Sequence, residues 1–366
     1  MSLELRTLAT PEELRCLGAA WDDLWERCDL ALPTLRSELL LAWLGDFAPR
    51  CRFRALTVGD GSRLLAALPL VDLGHGGRWG IGALPNNYYS SSGDLMLDSS
   101  SDPSACIDLL VEGLKRLPWS LLLLRQIQAE RPPWRSLWAS AKASGMAVHR
   151  YDVYRVGTIR FPEDAAAYLA ERSKRHRQDM RRAQRKIDQA GGRRLRIYDA
   201  LEPDEVEPLL RAGFEIEDRG WKGRAGTAVL RSPVLWEHYL RQARLLAASQ
   251  QLCLVFLEHA GQSIAFEYSC LAKGHYFTPK VGYDEKFAQF SPGQLLCHDL
   301  YHQMAESTDS PVVDLIGPLT HAERQWNTDE YQLETVMVAV RTVRGRVLSA
   351  ILRGLRWLRK AERRMN

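Results

Sequence analysis

Tyr276-Phe-Thr-Pro-Lys-Val-Gly-Tyr-Asp284, running on to Phe290-Ser-Pro-Gly-Gln-Leu-Leu296, is the stretch on which the reading of this chain turns. A strand ends, a loop crosses, and Ser291, with Pro292 at the first helical position, opens a helix whose free N–H groups and positive dipole end point outward. Such a start attracts anions. Gly293 has no Cβ, so a pyrophosphate can lie against the main chain there, which makes Ser291, Pro292, Gly293 and Gln294 the candidate donor-binding residues. Lys280 joins them as a contact for phosphates or for a developing oxyanion. Without a ligand the same residues read as an ordinary Ser-Pro helix cap.

Working outward, Leu252 to Glu258 and Ser263 to Leu271 flank His259-Ala-Gly-Gln262 and read as a hairpin that Tyr276 to Tyr283 extends. Gly293 to Ala305 is the helix, and Pro311 to Ile316 a buried strand. The first half shows the same order. Phe53 to Val58 and Leu64 to Leu70 flank Gly59-Asp-Gly-Ser62; Asp94 to Leu97 is the next strand, Asp102 to Leu117 a helix opened by Asp-Pro, and Ser120 to Leu124 a buried strand. Strand, turn, strand, strand, helix, strand thus occurs twice, which points to an internal duplication. Ahead of both, Trp21, Leu24, Trp25 and Cys28 mark one face of a helix from about Pro11, and another helix follows over Ser37 to Leu44. Between the halves lies a basic helix, Ala165 to Ala190, with a thin apolar stripe of Tyr168, Leu169, Met180, Ala183 and Ile187.

The 366 residues suit two domains and a tail, and 46% apolar with 26% charged residues is ordinary globular composition. Uninterrupted apolar runs, such as Leu121 to Leu124, fall far below the roughly 18 residues that cross a bilayer. The start, Met1-Ser-Leu-Glu-Leu-Arg6, is charged at once and does not read as a signal peptide. Seven scattered cysteines without a C-x-x-C pair point to a reducing cytoplasm rather than a disulfide framework. The net charge of +4 conceals a division: Glu171 to Arg196 carries +8, Arg341 to Asn366 another +8, and the remainder −12. The chain is acidic with two concentrated basic segments.

The stretches Glu215-Ile-Glu-Asp-Arg-Gly-Trp-Lys-Gly-Arg-Ala-Gly-Thr227, Gly261-Gln-Ser-Ile-Ala-Phe266, Val281-Gly-Tyr-Asp284, Phe290-Ser-Pro-Gly-Gln-Leu-Leu296 and Asp314-Leu-Ile-Gly317 resemble the BioF2-like, CelD-type acyltransferases of the GNAT superfamily. That family is similar in architecture to the Fem peptidyltransferases, which also carry two tandem GNAT-like halves and a basic helical segment. The resemblance covers roughly Trp21 to Trp326. It departs at Glu323-Arg324, where the family usually has Tyr-Lys; the cation is kept and the aromatic is not. The resemblance implies transfer of an acyl group from a thioester to an amine or hydroxyl, with acyl-CoA (acetyl-CoA in the simplest case) as co-substrate and no metal.

Such chemistry needs a base for the nucleophile, a polarised carbonyl and a proton for the departing thiolate. The candidate bases are Glu217, Asp218 and Glu267. Glu267 stands in an otherwise apolar strand, where burial raises a carboxyl's pKa, unless alternation turns it to solvent. Tyr283, a phenol at a strand end beside the anion site, is the candidate proton donor, the alternative being an interfacial aromatic. Asp218, Trp221 and Lys222 place carboxylate, aromatic and cation after a helix, as an acceptor site or a surface ion pair, and the family-like motifs add Asp284 and Asp314 on the substrate side. His298-Asp-Leu-Tyr-His302 imitates a zinc motif but lacks its glutamate and a third ligand, so no metal is assigned. No nucleophile elbow, Walker loop or dinucleotide fingerprint is present.

In the tail, Leu348, Ile351, Leu352, Leu355 and Leu358 form an apolar stripe among arginines, suited to an anionic membrane surface, to the body of the protein or to nucleic acid. The expectation is therefore an α/β (α+β) protein of two tandem GNAT-like mixed-sheet domains: residues 1–155, without catalytic function; 156–340, with the basic helix and the acyl-CoA site; and the basic tail 341–366. The expected function is acyl-CoA-dependent N- or O-acyl transfer in the cytoplasm or at the inner membrane face, in cell-envelope or exopolysaccharide metabolism. The alternatives are a Fem-like enzyme using aminoacyl-tRNA, with the basic helix on RNA, and a non-enzymatic nucleic-acid binder.

Overall fold

The computed structural model describes residues 2–73, 80–100, 102–162 and 165–340, with the single positions 345, 347, 350, 351 and 354 beyond them. In chain order the elements are β1 (Glu4–Leu8), α1 (Pro11–Cys16), α2 (Gly18–Arg27), α3 (Ser37–Phe47), β2 (Phe53–Gly59), β3 (Leu64–Asp72), β4 (Ile81–Ala83), β5 (Met96–Leu97), α4 (Pro103–Arg116), β6 (Leu121–Ile127), α5 (Pro132–Ala143) and β7 (Ala147–Ile159). There follow α6 (Ala165–Ala170), α7 (Lys174–Gln189), β8 (Arg194–Tyr198), α8 (Val206–Asp218), α9 (Trp221–Arg224), α10 (Pro233–Ala248), β9 (Leu252–His259), β10 (Gln262–Ala272), β11 (His275–Tyr283), α11 (Pro292–Ala305), β12 (Val312–Asp314) and β13 (Asp329–Ala339). Among the described residues no helix is long and apolar enough to cross a membrane.

The chain forms two compact units, one of residues 1–30, 34–154 and 332–366, the other of 31–33 and 155–331. The second half therefore does not run to 340. Glu334 to Ala339 of β13 pair antiparallel with β6, from Glu334↔Ile127 to Ala339↔Leu121, and carry the chain back into the first unit. The basic tail stripe Leu348, Leu352, Leu355 and Leu358 lies outside the described residues, and of its members only Ile351 is described, helical and exposed.

In the first unit β1, β2, β3 and β4 pair antiparallel in succession, and β4 pairs parallel with β6. The Asp94 to Leu97 stretch does not supply the third strand of this ladder. Ile81–Ala83 does, against the end of β3, while only Met96 and Leu97 pair, further back on the same strand. Alternation along β2 and β3 buries Leu56, Val58, Leu68 and Leu70 with Leu110 and Leu114 of α4 and Trp134 and Leu137 of α5.

In the second unit β8, β9, β10 and β11 pair antiparallel, β11 pairs parallel with β12, and β12 pairs with Thr158 and Ile159 of β7. The pairing order β9–β10–β11–α11–β12 repeats that of β2–β3–β4–α4–β6. One face of this sheet, with Val255, Leu257 and Ala265, packs on Leu295, Leu296 and Tyr301 of α11 and on Met180, Ala183 and Ile187 of α7. On the other, Phe266 and Tyr268 meet Phe214 of α8 and Tyr239 of α10. The close seat of α8 depends on Gly213, where a Cβ would stand 2.3 Å from the Phe266 ring. The basic segment is two helices rather than one: Ser173 caps α7, its hydroxyl accepting from the His176 N–H at 3.1 Å, and this breaks the run after Ala170.

Candidate active site

Strands β11 and β12 run together for only three pairs, His275↔Val312, Tyr276↔Val313 and Phe277↔Asp314. β12 then ends, while β11 continues along β10 to Tyr283. Between Phe277↔Cys270 and Lys280↔Tyr268, β11 carries one residue more than β10, a bulge at Thr278-Pro279. The sequence accounts for it, because Pro279 has no N–H to give to a ladder. Thr278 is 9% exposed and its Oγ1 has no hydrogen-bond partner among the described residues. The strand thus leaves its neighbour and bends, with an unused polar group at the bend.

The loop that follows is held by Asp284, which is buried. Its Oδ2 accepts from Arg219 Nε at 2.7 Å and its Oδ1 from the Lys286 N–H at 3.0 Å, so this carboxylate latches the loop. Ser291 takes the left-handed conformation (φ 56°, ψ 51°) and its hydroxyl makes no capping bond. Its carbonyl accepts from the Gln294 and Leu295 N–H groups at 3.0 and 3.1 Å. Pro292 has no N–H to offer, and the Gly293 N–H has no acceptor among the described residues. The Gln294 side chain is engaged with Trp326 Nε1 at 3.0 Å. Tyr283 stands beside this start: a Cβ on Gly293 would meet its ring at 3.5 Å.

The bulge decides which face each β11 side chain takes. Lys280 lies on the α8–α10 face, its ammonium 5.3 Å from the Tyr239 ring centroid, and so is not brought to the α11 start on the other face. Burial lowers its pKa to about 8, against the opposing pull of Glu217, with Lys222 adding to the depression. Glu217, 2% exposed, accepts from Lys222 Nζ at 2.8 Å and from the Val229 N–H at 3.0 Å; Lys222 also donates to the Val281 carbonyl at 3.0 Å. Asp218 is paired with Arg231 Nε at 2.6 Å, and Trp221 is 55% exposed.

Glu267 is fully buried on the α11 face, where its Oε1 accepts from Ser269 at 2.7 Å and Tyr276 at 2.8 Å while Oε2 has no partner among the described residues. Burial pushes its pKa up to about 7, against those two hydrogen bonds. Asp314 accepts from Tyr331 at 2.9 Å and from the Ile316 N–H at 2.8 Å, and burial raises it to about 6. His298 bonds Asp299 at 2.9 Å, and Asp299 is held in turn by Arg193 at 2.7 and 2.9 Å.

The fold therefore gathers two sets. Tyr283 and Gly293 meet at the α11 start; Glu217, Lys222 and Lys280 meet on the α8–α10 face. Glu267 and Asp314 are buried apart from both. The reading from sequence missed Tyr239, the Arg219 latch and the bulge, although a proline inside a strand is a usable sign of the last.

Residues 174–331 match the family model described as an acetyltransferase (GNAT) domain. No curated protein matches the chain. Among solved structures, FemX superposes with a TM-score of 0.58 at 9% identity, over 92% of this chain and 97% of that one. The C-terminal domain (DUF2156) of a putative lysylphosphatidylglycerol synthetase from Agrobacterium fabrum gives a TM-score of 0.54 at 11% identity, over 93% and 95%. A conserved protein of unknown function from Bacteroides thetaiotaomicron gives 0.51 at 11% identity, over 92% and 100%. At such identities the likeness is one of fold.

Proposed function

We propose that this chain, whose residues 174–331 carry a GNAT acetyltransferase-type domain, is an acyl-CoA-dependent N- or O-acyltransferase. The observation that carries the reading is the parting of β11 from β12 after Phe277↔Asp314, with the bulge beside it and the α11 start beyond. A thioester can lie along the freed edge of β11 with its diphosphate at the Gly293 N–H. The acceptor enters from the α8–α10 face, past the exposed Trp221.

In this reading the acceptor's amine or hydroxyl attacks the thioester carbonyl and forms the new C–N or C–O bond, the C–S bond breaks, and the thiolate takes a proton from Tyr283. Lys280 accepts the proton that the nucleophile loses. Its depressed pKa leaves a working fraction of free amine near neutrality, and the Glu217–Lys222 pair sets its surroundings. Glu267 has no exposed surface to offer an acceptor, so it is given no direct role here. The setting is the cytoplasm or the inner membrane face, with an acceptor from cell-envelope or exopolysaccharide metabolism.

One observation favours the aminoacyl-tRNA reading as the second choice. Arg181, Arg182, Arg185 and Lys186 of α7 are exposed, and no carboxylate pairs with them among the described residues. A thermal-shift panel of acetyl-CoA, longer acyl-CoAs, free CoA and tRNA separates the readings. Stabilisation by thioesters is expected; a shift with tRNA alone, lost steeply as salt rises, would transfer the assignment to the aminoacyl-tRNA enzyme or, without turnover, to a nucleic-acid binder.

A further inference from the structure

The first unit contains a cavity of about 310 Å³, a size that suits a small molecule, with Trp43 and Phe47 of α3, Ala83 of β4 and Asp72 at the end of β3 among its walls. Asp72 is 5% exposed. Its Oδ1 accepts from Trp119 Nε1 and its Oδ2 from the Arg52 N–H at 3.3 Å. Two donors fill about half of what a carboxylate can accept. No cation pairs with Asp72 among the described residues; Arg125, also in the lining, is exposed. A buried carboxylate without a counter-charge is costly unless a guest brings one.

The other walls suit such a guest. The rings of Trp43 and Phe47 stand 5.7 Å apart at 54°, and aromatic faces attract cations. Trp43 is 4% exposed and its Nε1–H has no hydrogen-bond partner among the described residues. The remaining amide, Asn86, is occupied: it donates to the Gly93 carbonyl at 3.0 Å and accepts from the Ser92 and Gly93 N–H groups at 3.0 and 2.9 Å. Among the described residues the cavity thus presents one buried negative charge without a counter-charge and one buried donor without an acceptor, beside the rings of Trp43 and Phe47.

We propose that this cavity is a binding site for a small organic amine, taken as its ammonium by Asp72, with its apolar body against Trp43 and Phe47 and any oxygen it carries toward the Trp43 N–H. The site is separate from the transfer chemistry of the second unit and does not depend on that reading. Cys51 also lines the cavity and is half-buried, with its thiol pKa raised by burial and by Asp72, so it reports occupancy through slow alkylation. Cys16 is exposed and serves as the internal control.

The experiment measures Cys51 alkylation in the full chain by peptide mass spectrometry, with phenethylamine as probe and hydrocinnamate, of similar size and opposite charge, as comparison. Phenethylamine at ten times its Kd should slow Cys51 by about ten-fold and leave Cys16 unchanged. Hydrocinnamate should slow neither cysteine, and Asp72→Asn should abolish the protection. Absence of protection by the amine, equal protection by the acid, or protection that survives Asp72→Asn overturns the proposal. Should Asp72→Asn fail to fold, Ala83→Leu fills the cavity with the charge intact, and calorimetric titration of that variant with phenethylamine should give no binding; unchanged binding overturns the proposal equally.

Discussion

Glu217 of α8 and Gly282 of β11 touch so closely that a Cβ on Gly282 would lie 2.8 Å from the Glu217 Cα. The contact seats the end of α8 on the strand, and from that seat the Glu217 carboxylate reaches Lys222, whose ammonium reaches back to the Val281 carbonyl. The strand edge and the acid pair are therefore positioned by one backbone approach that only glycine permits.

Gly282→Ala should then push α8 from β11. Overpacking of this kind costs about 1–3 kcal/mol. Urea denaturation should show that loss, and KM for the acceptor should rise more than KM for the donor; a variant as stable as the parent would mean that the two backbones yield easily.

Glu267 gives a pH dependence with a definite sign. Its carboxyl keeps its proton to about pH 7 in the folded chain, against an ordinary value of 4.5. Between those values the unfolded chain ionises and the folded chain does not, so stability falls as pH rises from 4.5 through 7, by about 3 kcal/mol in all, and is level above. Glu267→Gln should remove this slope and gain on the parent at alkaline pH. Asp314 is raised in the same direction but is present in both proteins, so it leaves the difference untouched. Parallel stability curves for parent and variant from pH 5 to 8 would refute the assignment.

Gly293→Asp tests the donor site. The position has room, with only the Tyr283 ring at 3.5 Å, and an acidic residue in a first helical turn favours the helix. The melting temperature should hold while affinity for CoA falls by about 100-fold, because a carboxylate then faces the diphosphate. Calorimetric titration checks this, and undiminished affinity would remove the α11 start from the proposed function.

Lys280→Arg keeps the charge and removes the proton acceptor, since a guanidinium does not deprotonate. In the parent, kcat/KM should climb with pH and level off near the lysine's pKa of about 8. The variant should be slower by about 100-fold and lose that inflection. An unchanged pH–rate profile would assign the proton to another group.

Part of this was legible in the residues themselves. The hairpins of both halves announced themselves through alternation and Gly-containing turns, and Pro292 and Pro103 marked helix starts at positions where a missing N–H costs nothing. The apolar neighbours of Glu267 allowed either burial or a solvent-facing side chain, and the structure shows burial. What sequence did not yield were features set by pairing at a distance. Asp94 to Leu97 read as the third strand and Ile81–Ala83 was not singled out, because the choice depends on where each meets β3.

By itself, then, the sequence determined the local elements, their repeated order and the helix start after Phe290, because turn chemistry, capping and periodicity act within a few residues. The tertiary structure decided the rest. One inserted residue at Thr278-Pro279 sets which face of the sheet Lys280 occupies relative to Glu267, and the match of Arg219 to Asp284 made that carboxylate a latch of the loop. The return of β13 to β6 closed the first unit with residues from the end of the chain. A strand's side chains alternate faces, so a single extra residue reassigns every one that follows, and only the partner strand fixes where that residue falls.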